Sequence, residues 1–205
     1  MNRSCQRLPV YMIISGAALL YSAAGQAQVA GSAINTLSDS SFSNTTGNTA
    51  VNTSAGIGNL QVNMAALGAG DKNVSALISN NQKQAEMYYA NGNTTSRIDS
   101  GAMSNVSGIV AVNQVSGNGN MQANLIAIAV GGTAEVSNEQ LGHIGAGATR
   151  SDAAENGAGI KKINSVILAD SAVSNASGIV QISQIAGSGN ITANIFTLGG
   201  GGMQP

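Results

Sequence analysis

The sequence holds a single cysteine, Cys5, a single histidine, His143, no tryptophan, and prolines only at Pro9 and Pro205. One thiol excludes an internal disulfide, a paired redox cysteine site and a cysteine-rich zinc site. A hydrolytic triad would have to place His143 beside a serine and a carboxylate such as Asp152. A lone histidine in a Gly-rich stretch is an ordinary solvent-exposed residue, so catalysis is not expected. No His, Cys or carboxylate cluster has metal-ligand spacing, so no metal or other cofactor is expected. Charged residues make up 8% of the chain and are scattered, which leaves no basic patch for nucleic acid or an anionic membrane. Aromatic residues make up 3%, too few for a core of large interlocking side chains. No small-molecule substrate site emerges either. Gly117-Asn-Gly119 and Gly187-Ser-Gly189 follow strand-like runs but lead into further strand-like runs, so no helix N-terminus is available for a phosphate.

What the chain does have is repetition. Ser104–Leu125 returns seventy positions later as Ser174–Ile195, and nearly half of positions 101–128 and 171–198 are identical without a gap. Most differences keep the chemistry, as in Val112/Ile182, Val115/Ile185, Met121/Ile191 and Leu125/Ile195. Each copy is two alternating runs around a Gly-x-Gly-Asn turn, the period of β-strands. Val110, Val112, Met121, Ala123 and Leu125 keep apolar partners in the other copy, so they are expected to face inward. Their neighbours drift in polarity, as in Ala111/Gln181 and Asn113/Ser183, and are expected to face outward. A single strand pair is marginal in water, whereas stacked copies bury each other's faces. The expected fold is therefore all-β, with stacked imperfect repeats forming a β-solenoid or a cross-β, amyloid-type architecture with irregular linkers.

Within this frame the residues expected to carry self-assembly are Val110, Val112, Gln114, Asn120, Ala123, Asn124 and Leu125. Their counterparts are Val180, Ile182, Gln184, Asn190, Ala193, Asn194 and Ile195. Stacking in register would place Gln on Gln and Asn on Asn, forming amide columns that hydrogen-bond along the stack. Surface polar residues of ordinary strands are the alternative. Asn138, in a charged segment without an evident counterpart, is expected to be water-satisfied.

Along the chain, Arg3 and Arg7 precede an apolar stretch from Val10 to Ala24 and the small-residue site Gly25-Gln26-Ala27, the pattern of a secretory signal peptide over 1–27. Cys5 lies inside it. Removal of Arg3 and Arg7 leaves a slightly acidic mature chain. Residues 28–47 read as a flexible N-terminal segment and 48–79 as a degenerate first repeat. In that repeat Val74, Ala76 and Ile78 are expected to match Met121, Ala123 and Leu125. Residues 80–100 read as a first linker, 101–130 as repeat two, 131–164 as a charged second linker, 165–198 as repeat three and 199–205 as a Gly-rich tail.

Asn-x-Ser-Gly-x-Val at Asn105–Val110 and Asn175–Val180, the Gly-x-Gly-Asn turn, and Ala-Asn at Ala123-Asn124 and Ala193-Asn194 resemble the repeats of Fap-type functional amyloid subunits of Gram-negative bacteria. So does the layout of signal peptide, three imperfect repeats and two linkers. The resemblance implies passage through the periplasm and an outer-membrane export pore, assembly with itself and related fibre subunits into extracellular fibres, and a part in biofilm matrix and adhesion. Some Fap subunits carry a C-terminal Cys-x-x-Cys that this chain lacks, so main subunit, nucleator and accessory component stay equally open. Outside the resemblance, a monomeric secreted β-solenoid adhesin that binds a surface or glycan is the alternative reading, and a secreted enzyme or periplasmic small-molecule binder the least supported. The leader reading predicts cleavage after Ala27. The intact mass of secreted protein should begin at Gln28, and a mass that retains Met1–Ala27 would refute it.

Overall fold

The computed structural model describes residues 32–83, 92–141 and 163–200. The proposed leader, His143, and the remaining parts of both linkers and the tail lie outside them. The described residues form nine strands and no helix: β1 (Ala33–Leu37), β2 (Thr46–Ala55), β3 (Leu60–Lys83), β4 (Thr94–Ile98), β5 (Ser107–Ser116), β6 (Met121–Leu141), β7 (Asn164–Leu168), β8 (Ser177–Ala186) and β9 (Ile191–Gly200). They pair into three parallel three-stranded sheets, ordered β1-β4-β7, β2-β5-β8 and β3-β6-β9. The chain thus winds through three rungs, β1-β2-β3, β4-β5-β6 and β7-β8-β9, each laid in register on the one before.

The turns stack as well. Phe42 N donates to Ala102 O at 2.8 Å and Met103 N to Ala172 O at 2.8 Å. Gly117 N donates to Ala55 O and Gly187 N to Ser116 O, both at 2.8 Å. The turn between β5 and β6 does not make a hydrogen-bonded hairpin. Its two strands enter different sheets and meet through side chains, because the backbone groups of β5 and of Met121–Val130 in β6 are already committed to the rungs on either side.

The β2-β5-β8 sheet is covered on both faces. On one side Val51, Val110 and Val112 pack with Leu37 and Ile98 of the β1-β4-β7 sheet and with Ala102, Met103, Val106 and Ala172 of the turns. On the other side it meets the first halves of β3, β6 and β9. The long strands β3 and β6 then fold back on themselves, so that Ala123, Leu125, Ala127 and Ala129 pack against Ala76 and Ile78. The register changes at this corner. Ala69 pairs with Val130 and Val74 with Gly132, so the first rung carries extra residues at its bend.

Four sequence expectations change here. The drifting set is not outward: Ala111, Asn113, Val115, Gln122, Asn124 and Ile126 are all buried, because in the middle rung both faces of β5 and of β6 are covered. The first repeat aligns differently. Leu60, Val62 and Met64, not Val74, Ala76 and Ile78, lie on Met121, Ala123 and Leu125, and Val74 and Ala76 lie on Gly132 and Ala134. The reason is that Gly56-Ile57-Gly58-Asn59 is itself the Gly-x-Gly-Asn turn. Segments set aside as flexible or linker hold strands: β1 within 28–47, β4 within 80–100, and the continuation of β6 to Leu141 within 131–164. Gly199 and Gly200, assigned to the tail, complete β9. The all-β, stacked-repeat architecture itself is as expected.

Close stacking depends on glycine at the turns. Gly117 has φ 128°, and a Cβ there would overlap the carbonyl of Gly187 one rung on. Gly117→Ala should therefore lower the unfolding free energy by about 2–3 kcal/mol in guanidinium titration. Gly200→Ala, where a Cβ meets nothing within 4 Å, should leave the midpoint unchanged.

Candidate self-assembly interface

Stacking in register brings chemically equal side chains together along the stack. Asn190 Nδ2 donates to Asn120 Oδ1 and Asn120 Nδ2 to Asn59 Oδ1, each at 2.9 Å. Asn194 donates to Asn124 and Asn124 to Asn63, again at 2.9 Å. Gln184 Nε2 donates to Gln114 Oε1 at 2.9 Å. The expected column positions are thus in contact, and the Gln114 amide is fully buried rather than solvated.

The amides also join neighbouring sheets. Gln114 Nε2 donates to Arg97 O at 2.9 Å and Gln184 Nε2 to Ile167 O at 3.0 Å, tying β5 and β8 to β4 and β7. Asn124 Nδ2 donates to Val112 O at 3.0 Å and Asn194 Nδ2 to Ile182 O at 3.1 Å, tying β6 and β9 to β5 and β8. A primary amide has two N–H donors and a carbonyl, so it can serve the column and the facing sheet together. Loss of either partner would strand a buried polar group.

The apolar positions divide by rung. Val110 and Val112 are buried, and Val180 and Ile182 pack against them as partly buried neighbours. Ala123 and Leu125 lie in the second core. Their third-rung counterparts Ala193 and Ile195 are exposed. The contrast is steepest along one column pair: Met121 and Leu125 are 0% exposed, whereas Ile191 is 39% and Ile195 51% exposed. The same chemistry is covered in the middle rung and bare at the end of the stack.

Several column members were not among the expected set. Asn59 and Asn63 extend two columns into the first rung, Gln61 Nε2 donates to Gln122 Oε1 at 2.7 Å, and Asn113 Nδ2 donates to Asn52 Oδ1 at 3.1 Å. Asn44, Asn105 and Asn175 form another column in the turns, all at positive φ near 55°. An ungapped comparison of 46–69 with 107–130 carries the signal for the first four, since Gly56, Gly58 and Asn59 match Gly117, Gly119 and Asn120. Asn138 is not a solitary linker residue: it pairs in register with Asn80, whose Nδ2 donates to its Oδ1 at 2.7 Å. Charge plays little part in these contacts. The ion pair among the described residues joins Arg97 and Asp99 at the end of β4.

No solved structure matches the chain. A family model described as the functional amyloid protein FapB/FapC family matches residues 18–200, a span that takes in all three rungs and every amide column. The chain belongs to the functional amyloid protein FapB/FapC family.

Proposed function

We propose that this protein is exported across the periplasm and through an outer-membrane pore, and that it polymerises outside the cell into amyloid-like fibres that support biofilm matrix and adhesion. It serves as a main or minor subunit, assembles with itself and related fibre subunits, and carries out no catalysis. The observation behind this reading is the bare third rung, where Ile191, Ile195 and Leu198 stand exposed and, among the described residues, β7, β8 and β9 pair on one side alone. Soluble proteins suppress such edges with charge, proline or a covering element. Here the exposed strand β9 carries none of the first two. Adding a further rung buries these side chains at roughly 25 cal/mol per Å² and completes three ladders at once.

Purified mature chain should convert to fibres that bind an amyloid dye and diffract at the inter-strand spacing of about 4.7–4.8 Å. A chain that stays monomeric in the presence of preformed fibres would favour the monomeric adhesin instead. Replacing both glutamines, Gln114→Ala with Gln184→Ala, removes a buried amide column and its hydrogen bonds to Arg97 O and Ile167 O, at about 0.5–1.5 kcal/mol each. Fibre growth should slow about ten-fold and dissolution should need less denaturant. Ser137→Ala, at an exposed position, should grow as the unaltered protein does. A double-alanine protein that grows at the unaltered rate would refute the buried-column role.

A further inference from the structure

Two glycine columns run in opposite senses along the stack. A Cβ at Gly108 would overlap the carbonyl of Gly47, and one at Gly178 the carbonyl of Gly108. The first-rung member Gly47 has nothing within 4 Å in that direction. In the other column the sense is reversed. A Cβ at Gly56 would overlap Gly117 O and one at Gly117 would overlap Gly187 O, while Gly187 meets only amide side chains at 3.4 Å and beyond. Gly47 thus faces open space out of the first rung, and out of the third rung Gly187 faces amide side chains in place of a backbone. Thr53 Oγ1 is buried with no partner, at the head of the column that continues as Gln114 and Gln184.

We infer that the third rung of one chain receives the first rung of the next in the same register, and that every junction so formed sets Asp170 beside Asp39. This rests on the reading that the chain polymerises. Asp39, Ser100 and Asp170 are the first turn residues after β1, β4 and β7 and follow the pairing of those strands. Inside one chain Ser100 keeps the two carboxylates two rungs, about 9.6 Å, apart. Across a junction they are one rung, about 4.8 Å, apart. Both are exposed. Among the described residues the other charged side chains flanking this turn column are Arg97 and Asp99, and they pair with each other. The junction is therefore the one boundary at this corner where like charges stack, and it sets a brake on growth that internal rungs do not feel. Thr53 of the arriving chain meets the amide of Gln184, and Gly47 and Gly187 close on backbone as their counterparts do.

Growth rates with seeded fibres test the pairing by sign. Asp39→Lys alone or Asp170→Lys alone turns repulsion into attraction and should raise the rate about three-fold, within the range known for cross-strand charge pairs. The double change restores like charges and should return to the unaltered rate. If all four proteins form fibres at one rate, this junction is wrong while the polymer reading stands. If the unaltered protein forms no fibres, the polymer reading fails and takes the junction with it. A second measurement does not depend on rates. In a Cys5→Ser background, a chain carrying Asp39→Cys and Asp170→Cys should, once fibrous and oxidised, run as a ladder of disulfide-linked multimers. One rung is within disulfide reach and two rungs are not. Monomers alone on a non-reducing gel would overturn the proposal.

Discussion

Outside the bend between Ala69 and Val74, the described strand residues lie next to the residue at the same position of a neighbouring rung, and this in-register parallel pairing governs what the sequence can hold. A column must tolerate itself. Valine on valine and isoleucine on leucine gain from contact, glycine on glycine lets the turns close, and amide on amide makes a hydrogen bond. Like charges one rung apart do not gain. The low charge content and the replacement of charge by Asn, Gln, Ser and Thr inside the strands follow from that rule.

The amides do more than line the columns. Sheets built from Ala, Val and Ser approach closely enough for a glutamine or asparagine on one sheet to reach a backbone carbonyl on the next, as Gln114 reaches Arg97 and Asn124 reaches Val112. Serine and threonine lack the reach and the donors for both tasks. At Thr53, where threonine replaces glutamine, the hydroxyl is left without a partner. The amides thus fix both how rungs stack and how sheets pack, in a chain without the large side chains that lock most interiors.

The second and third rungs were legible because their sequences match without a gap and because Gly-x-Gly-Asn marks the same bend in each. From that match, the partners of Gln114, Asn120 and Asn124 could be read directly. The first strands of the rungs could not. Ala33–Leu37, Thr94–Ile98 and Asn164–Leu168 are five residues each, with little in common beyond size, and their pairing comes from the turns and from Leu37 and Ile98 meeting the valines of the next sheet. Burial is hidden in the sequence for a related reason. Alternation identifies strands but not how many faces are covered, and in a stack of several sheets Ala111 and Asn113 are as enclosed as Val110 and Val112. The alignment of the first repeat is ambiguous in the sequence because Val74, Ala76 and Ile78 also alternate. Periodicity alone does not distinguish a strand from the arm that folds back over it.

The bend between Ala69 and Val74 is longer than the bend between Val130 and Gly132, yet the strands on either side keep their pairing. This corner behaves as an expansion joint. Residues can be inserted or lost there between related chains without moving a single column, whereas one residue added inside a strand would turn every side chain beyond it to the opposite face. Length variation in such a protein should therefore collect at corners and between rungs, while the strands stay fixed in length. Chains of quite different size could then share one cross-section and add to the same filament.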